Sequence, residues 1–357
     1  MLQELDKIES IGKDIDKLIN IDISGRGIID KLYAASYKKN ATSLTMSAAR
    51  KLKESLKPGD VVLIATGFPV FAWLSEGLVE TDGPIGAAVL SAALDVGPKA
   101  IPIVVTEERL MKYVGAACAG TGLIVTDSDR AKKSKPRPLG HAVGLEKFPT
   151  ERDAAEKVAE NLFDKLEPKA IISVEMPSPN KKGVCHYCTG NDIPPDAVAR
   201  IDILVAKAEE EGVASIGIGD GGNEIGMGLI EDTVRKHVPF GDRCKCPCGE
   251  GIAATVRNDI LVTASISNWG AYAISACLST LFGNPACIPR GTDLIRMFRN
   301  CADSGAVDGI TGYCRPLEDG IPIRTSLGIL SLLRTIVESR TSGLFSTVFE
   351  KYDMNTH

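Results

Sequence analysis

The sequence predicts an α/β fold: a mainly parallel sheet with helices on both faces and a helical N-terminal arm. Two observations lead there. Short apolar runs of strand length recur at 61–65, 100–105, 122–126, 170–174, 214–218 and 259–264, and segments of helical periodicity at 85–96, 152–166, 195–211 and 270–282 lie between or after most of them. That alternation is the pattern of a parallel sheet covered on both sides.

In chain order, the first sixty residues read as helices at 11–21 and 41–56, joined by a segment containing Ser24-Gly25-Arg26-Gly27. Lys57-Pro58-Gly59-Asp60 then turns the chain into the first strand. Around the fifth run, Val213-Ala214-Ser215-Ile216 reads as a buried strand, and Leu229, Ile230, Val234 and His237 keep a helical period as far as Pro239. A closing helix is expected at 325–337, with Leu327, Leu330, Leu333 and Ile336 on one stripe. There is no fixed-period repeat and no low-complexity linker. We therefore expect one domain over 1–357, with 1–59 as the arm and 60–357 as the core.

Composition narrows the function classes. The chain has 357 residues, 44% hydrophobic and 24% charged, which is ordinary for a globular protein, but its aromatic fraction is only 5% and its formal charge is −5. Few stacking surfaces and a negative balance argue against nucleic acid as a partner. The basic run at 130–137 is expected to be a solvated loop. The first 22 residues have neither the apolar stretch of a secretory signal nor the acid-poor composition of a transit peptide. With no run long enough to span a bilayer, a cytoplasmic protein that does not engage membranes is expected. A homo-oligomer stays open.

Several predicted strands end in polar, glycine-rich loops: Thr66-Gly67-Phe68-Pro69 with Glu80-Thr81-Asp82-Gly83-Pro84, then Glu175, then Asp220, Asn223 and Glu224, then Ser267-Asn268-Trp269-Gly270. In a parallel sheet these loops meet on one edge, where ligands bind. Carboxylates gathered there without matching cations repel one another unless a divalent ion sits among them. Each residue also has a purely structural reading. Asp82 suits the N-cap of a helix starting near Pro84, and Glu224 suits a first-turn carboxylate facing a helix dipole.

Gly217, Gly219 and Gly222 match the dinucleotide-binding spacing, but Asp220 and Glu224 would stand beside a pyrophosphate and repel it. A cation site is the better reading. Cys185, Cys188, Cys244, Cys246 and Cys248 offer thiolates for a structural Zn²⁺, against reduced or occasionally oxidised surface thiols. The other five cysteines, Cys118, Cys277, Cys287, Cys301 and Cys314, sit singly among small or apolar neighbours as small hydrophobes. His237 reads as a helix C-terminal residue and His141 as a loop residue.

At these motifs the chain resembles the D-glutamate cyclase family, in the domain that forms the C-terminal part of its longer eukaryotic members. The matching blocks are Thr66-Gly67-Phe68-Pro69, Glu80-Thr81-Asp82-Gly83-Pro84-Ile85-Gly86-Ala87, the glycine-rich stretch 217–228 and Ser267-Asn268-Trp269-Gly270-Ala271-Tyr272-Ala273. Weaker matches lie at 175–191 and at Val307-Asp308-Gly309. The chain departs from the eukaryotic pattern at 185–188, which lacks the usual polar run, and at 244–251, which looks like an insertion.

The resemblance implies a lyase that cyclises D-glutamate to 5-oxo-D-proline with loss of water, and a relationship to proteins that look like manganese-dependent hydrolases. On that reading Asp82, Asp220 and Glu224 are the expected ligands of a divalent metal, Mn²⁺ or Mg²⁺. Glu80 or Glu175 is the expected catalytic base, and Arg26, Asn223, Ser267 and Asn268 are expected at the substrate. A Mn-dependent phosphatase using the same pocket, and a non-catalytic binding protein for a small acidic metabolite, are the alternatives.

Overall fold

In a computed structural model, which describes residues 2–135 and 139–342, the chain runs α1 (Leu2–Ile19), α2 (Ile29–Asn40), α3 (Leu44–Ser55), β1 (Val61–Thr66), α4 (Pro84–Val96), β2 (Ile101–Thr106), α5 (Met111–Gly120), β3 (Ile124–Thr126), α6 (Ser128–Lys132), β4 (Ala142–Lys147), α7 (Arg152–Leu166) and β5 (Ala170–Val174). It continues through α8 (Ile201–Glu210), β6 (Ala214–Gly219), α9 (Glu231–His237), β7 (Ile260–Thr263), α10 (Ser267–Phe282), α11 (Gly291–Asp303), a small β8 (Leu317–Glu318) and β9 (Ile321–Pro322) pair, and α12 (Ile323–Thr341). Among the described residues, β1 to β7 form one parallel sheet in the order β3-β4-β2-β1-β5-β6-β7.

The central strands are largely apolar because both faces are covered. Val62 and Ile64 of β1 pack into the core shared with α1, α3, α4, α5, α10, α11 and α12, while Val61, Leu63 and Ala65 point into the opposite core under α6, α7 and α8. The N-terminal helices are part of the first core: Ile11, Ile15 and Ile19 are fully buried. Asp16 anchors this packing by accepting from the backbone N–H groups of Leu44 and Thr45, which opens α3. No described helix is long and apolar enough to cross a membrane.

The structure adds what periodicity did not reveal. Helix α2 fills part of the expected loop, holding the sheet edge through Ser36, whose hydroxyl donates to the Leu261 carbonyl. Strand β4 was absent from the apolar runs because its second half, Leu145, Glu146 and Lys147, is only partly buried or exposed. The basic run at 130–137 is not simply a solvated loop: it begins inside α6, and Lys135 pairs with the buried Asp95 at 3.1 Å. Its last two residues lie outside the described ones.

One feature of this topology positions the site. From β1 the chain proceeds to β2 on one side, whereas β5 pairs with β1 on the other, with Thr66 opposite Val174. The strand order reverses between β1 and β5, and the carboxyl ends of the strands there are where open α/β sheets bind ligands.

A candidate active site at the sheet switch point

Beyond β1 and β5 lies a cavity of about 490 Å³. Its polar floor is formed by Glu80, Glu175, Asp220 and Asp319 with Arg26, and Phe68, Phe71 and Tyr187 are among its other lining residues. Five separate stretches of chain supply the floor: the loop before α2, the loop before α4, the end of β5, the end of β6 and the turn between β8 and β9.

Asp82 does not cap the helix that follows it. Its Oδ1 accepts from the Asn268 backbone N–H at 2.7 Å and its Oδ2 from that of Ser267 at 2.9 Å, so it caps α10. Asn268 returns the contact, its Oδ1 accepting from the backbone N–H groups of Gly83 (3.0 Å) and Gly86 (2.6 Å) at the start of α4. The Asn268 amide donates to Glu318 Oε2 at 2.7 Å and to the Thr81 carbonyl at 3.2 Å. Asn268 is thus committed to holding two helices and does not line the cavity. Gly83 has φ +96°, and a Cβ there would meet Thr66 Oγ1 at 2.7 Å and Glu175 Cβ at 3.0 Å, which is why this turn needs glycine.

Glu175 follows directly on β5 with φ +45°, a conformation that a side chain resists and that functional sites tolerate. The Ser267 hydroxyl donates to its Oε2. Glu224 folds back on its own loop, accepting from the backbone N–H groups of Asp220, Gly221 and Gly222 at 3.3, 2.6 and 2.7 Å. Asn223 lines the cavity, and its amide donates to the His186 carbonyl at 2.8 Å. Arg26 reaches in from the loop before α2, donating to the Ser265 carbonyl at 2.7 Å and pairing with Asp220 at 3.1 Å. One carboxylate oxygen each from Asp82, Glu175 and Asp220 lies within 4.8 Å of the other two, and all three residues are buried.

Compared with known proteins, residues 15–334 match the family model described as "D-glutamate cyclase-like, C-terminal". The chain belongs to the D-glutamate cyclase-like family. The human protein named D-glutamate cyclase, mitochondrial, is 29% identical over 274 residues, which cover 76% of this chain and 39% of the human protein. The chain therefore spans well under half the length of that relative.

In this D-glutamate cyclase-like chain the matched span includes every floor residue, from Arg26 to Asp319. Burial pushes the carboxyls of Glu80, Asp82, Glu175 and Asp319 well above the usual carboxylate range, and their mutual repulsion, with Asp220 prominent, pushes further. Glu224 is raised by burial and by Asp220 to about 7, even though its three backbone N–H donors act to lower it. Burial works against the Arg26 charge, but Asp220 and Asp319 outweigh it and hold the guanidinium protonated. Buried oxygen donors in mutual repulsion, with one guanidinium among them, suit a hard divalent cation.

Asp319 and Glu318 were not among the sequence candidates. Glu318 is fully buried and accepts from Trp269 Nε1 at 2.8 Å and Tyr272 OH at 3.3 Å as well as from Asn268, tying α10 to the β8–β9 pair. The one local signal was Glu318-Asp319-Gly320, which echoes Val307-Asp308-Gly309. Asp308 and that glycine turn meet: Asp308 Oδ1 accepts from the Gly320 N–H at 2.7 Å.

The five cysteines expected around a zinc ion do not all converge. Cys244, Cys246 and Cys248 gather, but with His186 rather than with Cys185 and Cys188. At the bridge to Asp192, His186 faces the thiols, whereas its neighbour Cys185 packs on the other side against apolar neighbours and Cys188, in the turn that follows, lines the cavity.

Proposed function

We propose that the cavity binds D-glutamate and that the chain catalyses its cyclisation to 5-oxo-D-proline with loss of water, with Mn²⁺ or Mg²⁺ held by Asp82, Glu175 and Asp220. The observation that carries this reading is the set of buried carboxyls with raised affinity for protons around one cavity at the sheet switch point.

The reaction requires a neutral α-amine held against the γ-carboxyl carbon. An acidic floor suits the substrate's ammonium group, and Arg26 suits one of its carboxylates. Glu80 in its ionised form, or Glu175 through the carboxylate oxygen not engaged by the cation, accepts a proton from the ammonium. The freed lone pair attacks the γ-carbon and forms the ring C–N bond. The ring nitrogen gives up its second proton to a floor carboxylate as the C–O bond breaks, and the departing oxygen leaves as water with two protons from the floor carboxyls, so the two protons lost by nitrogen equal the two gained by oxygen. Two carboxyls in mutual repulsion suit this division of labour, because one is readily ionised while the other keeps its proton. The bound cation would supply charge neutralisation at the oxyanion and a more electrophilic carboxyl group. A phosphate monoester has no ammonium group to meet the acidic floor, so the phosphatase reading has less support.

The test is to incubate purified protein, with and without Mn²⁺, with D-glutamate, L-glutamate or a phosphate monoester, following 5-oxoproline and free phosphate separately. Formation of 5-oxoproline from D-glutamate supports the reading. Phosphate release without 5-oxoproline would replace it by the hydrolase, and tight metabolite binding without turnover by the binding protein.

A further inference from the structure

We propose that a second metal site, separate from the carboxylate cavity, holds one structural Zn²⁺ through His186 Nε2 and the thiolates of Cys244, Cys246 and Cys248. The four ligand atoms lie within 4.8 Å of one another. Cys244 Sγ is 3.5 Å from Cys246 Sγ and 3.3 Å from Cys248 Sγ, and His186 Nε2 is 3.2 Å from Cys246 Sγ and 3.6 Å from Cys248 Sγ. A tetrahedral zinc with Zn–S of about 2.3 Å and Zn–N of about 2.0 Å sets its ligand atoms roughly 3.5–3.8 Å apart. The observed separations need to open by only a few tenths of an ångström to meet that geometry. They are far too long for a disulfide, whose sulfurs stand about 2.05 Å apart.

The surroundings point the same way. His186 is 1% exposed, and the sulfurs of Cys246 and Cys248 are the polar atoms that face its Nε2. A buried imidazole set against three thiols is poorly satisfied by weak S–H bonds, whereas a cation among them satisfies all four groups. The Asn180 amide donates to Cys248 Sγ at 3.4 Å and to the Gly251 carbonyl at 2.7 Å, orienting the loop from outside as ligand-supporting groups do. Three thiolates and an imidazole close a tetrahedron with no open position, which marks the site as structural and selects a borderline-soft ion over Mg²⁺ or Mn²⁺.

The ion would fasten two loops that have little regular structure of their own. One carries His186, whose carbonyl accepts from Asn223, and continues into Tyr187 and Cys188 at the cavity wall. The other is the 244–251 segment, packed through Cys244 against Val234 and Ile252. Zinc there fixes one wall of the cavity without touching its floor.

The experiment is metal analysis of the untagged full chain, followed by exchange of the bound ion for Co²⁺. The proposal expects one zinc per chain and, after exchange, the intense visible bands of tetrahedral cobalt with a thiolate-to-cobalt charge-transfer band in the near ultraviolet. Cys246→Ser should lower the charge-transfer intensity by about a third, one thiolate of three, and Cys314→Ser, at an exposed cysteine outside the cluster, should leave it unchanged. The wild-type measurement stands whether or not Cys246→Ser folds. Zinc far below one per chain together with weak octahedral cobalt bands, or an undiminished charge-transfer band in folded Cys246→Ser, would overturn the site.

Discussion

Asp82 and Asn268 cap each other's helices: the Asp82 carboxylate accepts from the first N–H groups of α10, and the Asn268 side-chain oxygen accepts from N–H groups at the start of α4. This exchange locks the helix behind the Glu80 loop to the helix behind Ser267. It therefore fixes the Glu80 loop relative to Ser267, whose hydroxyl donates to Glu175.

Asn268→Ala leaves the Gly83 and Gly86 N–H groups and one oxygen of the buried Glu318 with fewer partners. At about 1–3 kcal/mol for each buried group left unsatisfied, a loss of roughly 2–4 kcal/mol is expected after local relaxation. Denaturant unfolding measures it, and a midpoint equal to wild type would refute the reciprocal cap.

Gly309 lies against Glu80, and a Cβ at that position would sit 2.2 Å from Glu80 Oε2. Gly309→Ala should therefore displace the carboxylate and lower kcat for 5-oxoproline formation by at least about tenfold, short of the roughly 10²–10⁴-fold loss expected for Glu80→Gln if Glu80 transfers the proton. Steady-state kinetics on both variants checks the order. Full activity in Gly309→Ala would show that the position of Glu80 does not matter.

Ser267 donates its hydroxyl proton to Glu175 and so favours the ionised carboxylate. Ser267→Ala should raise the Glu175 pKa further. If Glu175 is the base, the acid limb of the kcat/KM profile against pH moves to higher pH. An unmoved limb together with a retained rate assigns the base to another residue.

The carboxyls of Glu80, Asp82, Glu175, Glu224 and Asp319 bind protons more tightly in the folded chain than in the unfolded one. Glu224, for example, rises from 4.5 to about 7. The folded state thus holds more protons between those values, and the contribution of such groups to stability is present at low pH and lost as pH rises from about 4.5 through 7. A cation in the cavity offsets the repulsion only once the carboxyls ionise. Mn²⁺ should accordingly raise the melting temperature more at pH 8 than at pH 5, and less in Asp220→Asn. Equal shifts at both pH values would contradict a cation held by these groups.

The buried strands were legible because runs such as 61–65 and 170–174 are covered on both faces and so are apolar at all or nearly all positions. β4 was hidden because half of it is partly exposed. The candidate site was legible wherever polar residues follow a strand directly, as Glu175 and Asp220 do. Asp319 was not, because it follows a two-residue strand and reaches the floor only through the meeting of the Asp308 and Gly320 turns. Sequence also did not tell floor from scaffold. Asp82, Glu224 and Asn268 share the polar character of Glu175 and Asp220, and only their backbone N–H partners reveal how much of each is spent on shaping loops and helix ends.

The central claim is that the Asp82, Glu175 and Asp220 group makes D-glutamate cyclisation depend on a divalent cation. The most direct measurement is 5-oxoproline formation from D-glutamate by metal-depleted wild type and Asp220→Asn across a Mn²⁺ titration, with folding of both verified by circular dichroism. A saturable rise in rate is expected for wild type and little or none for the folded variant. Equal rates in both proteins, independent of Mn²⁺, would contradict it.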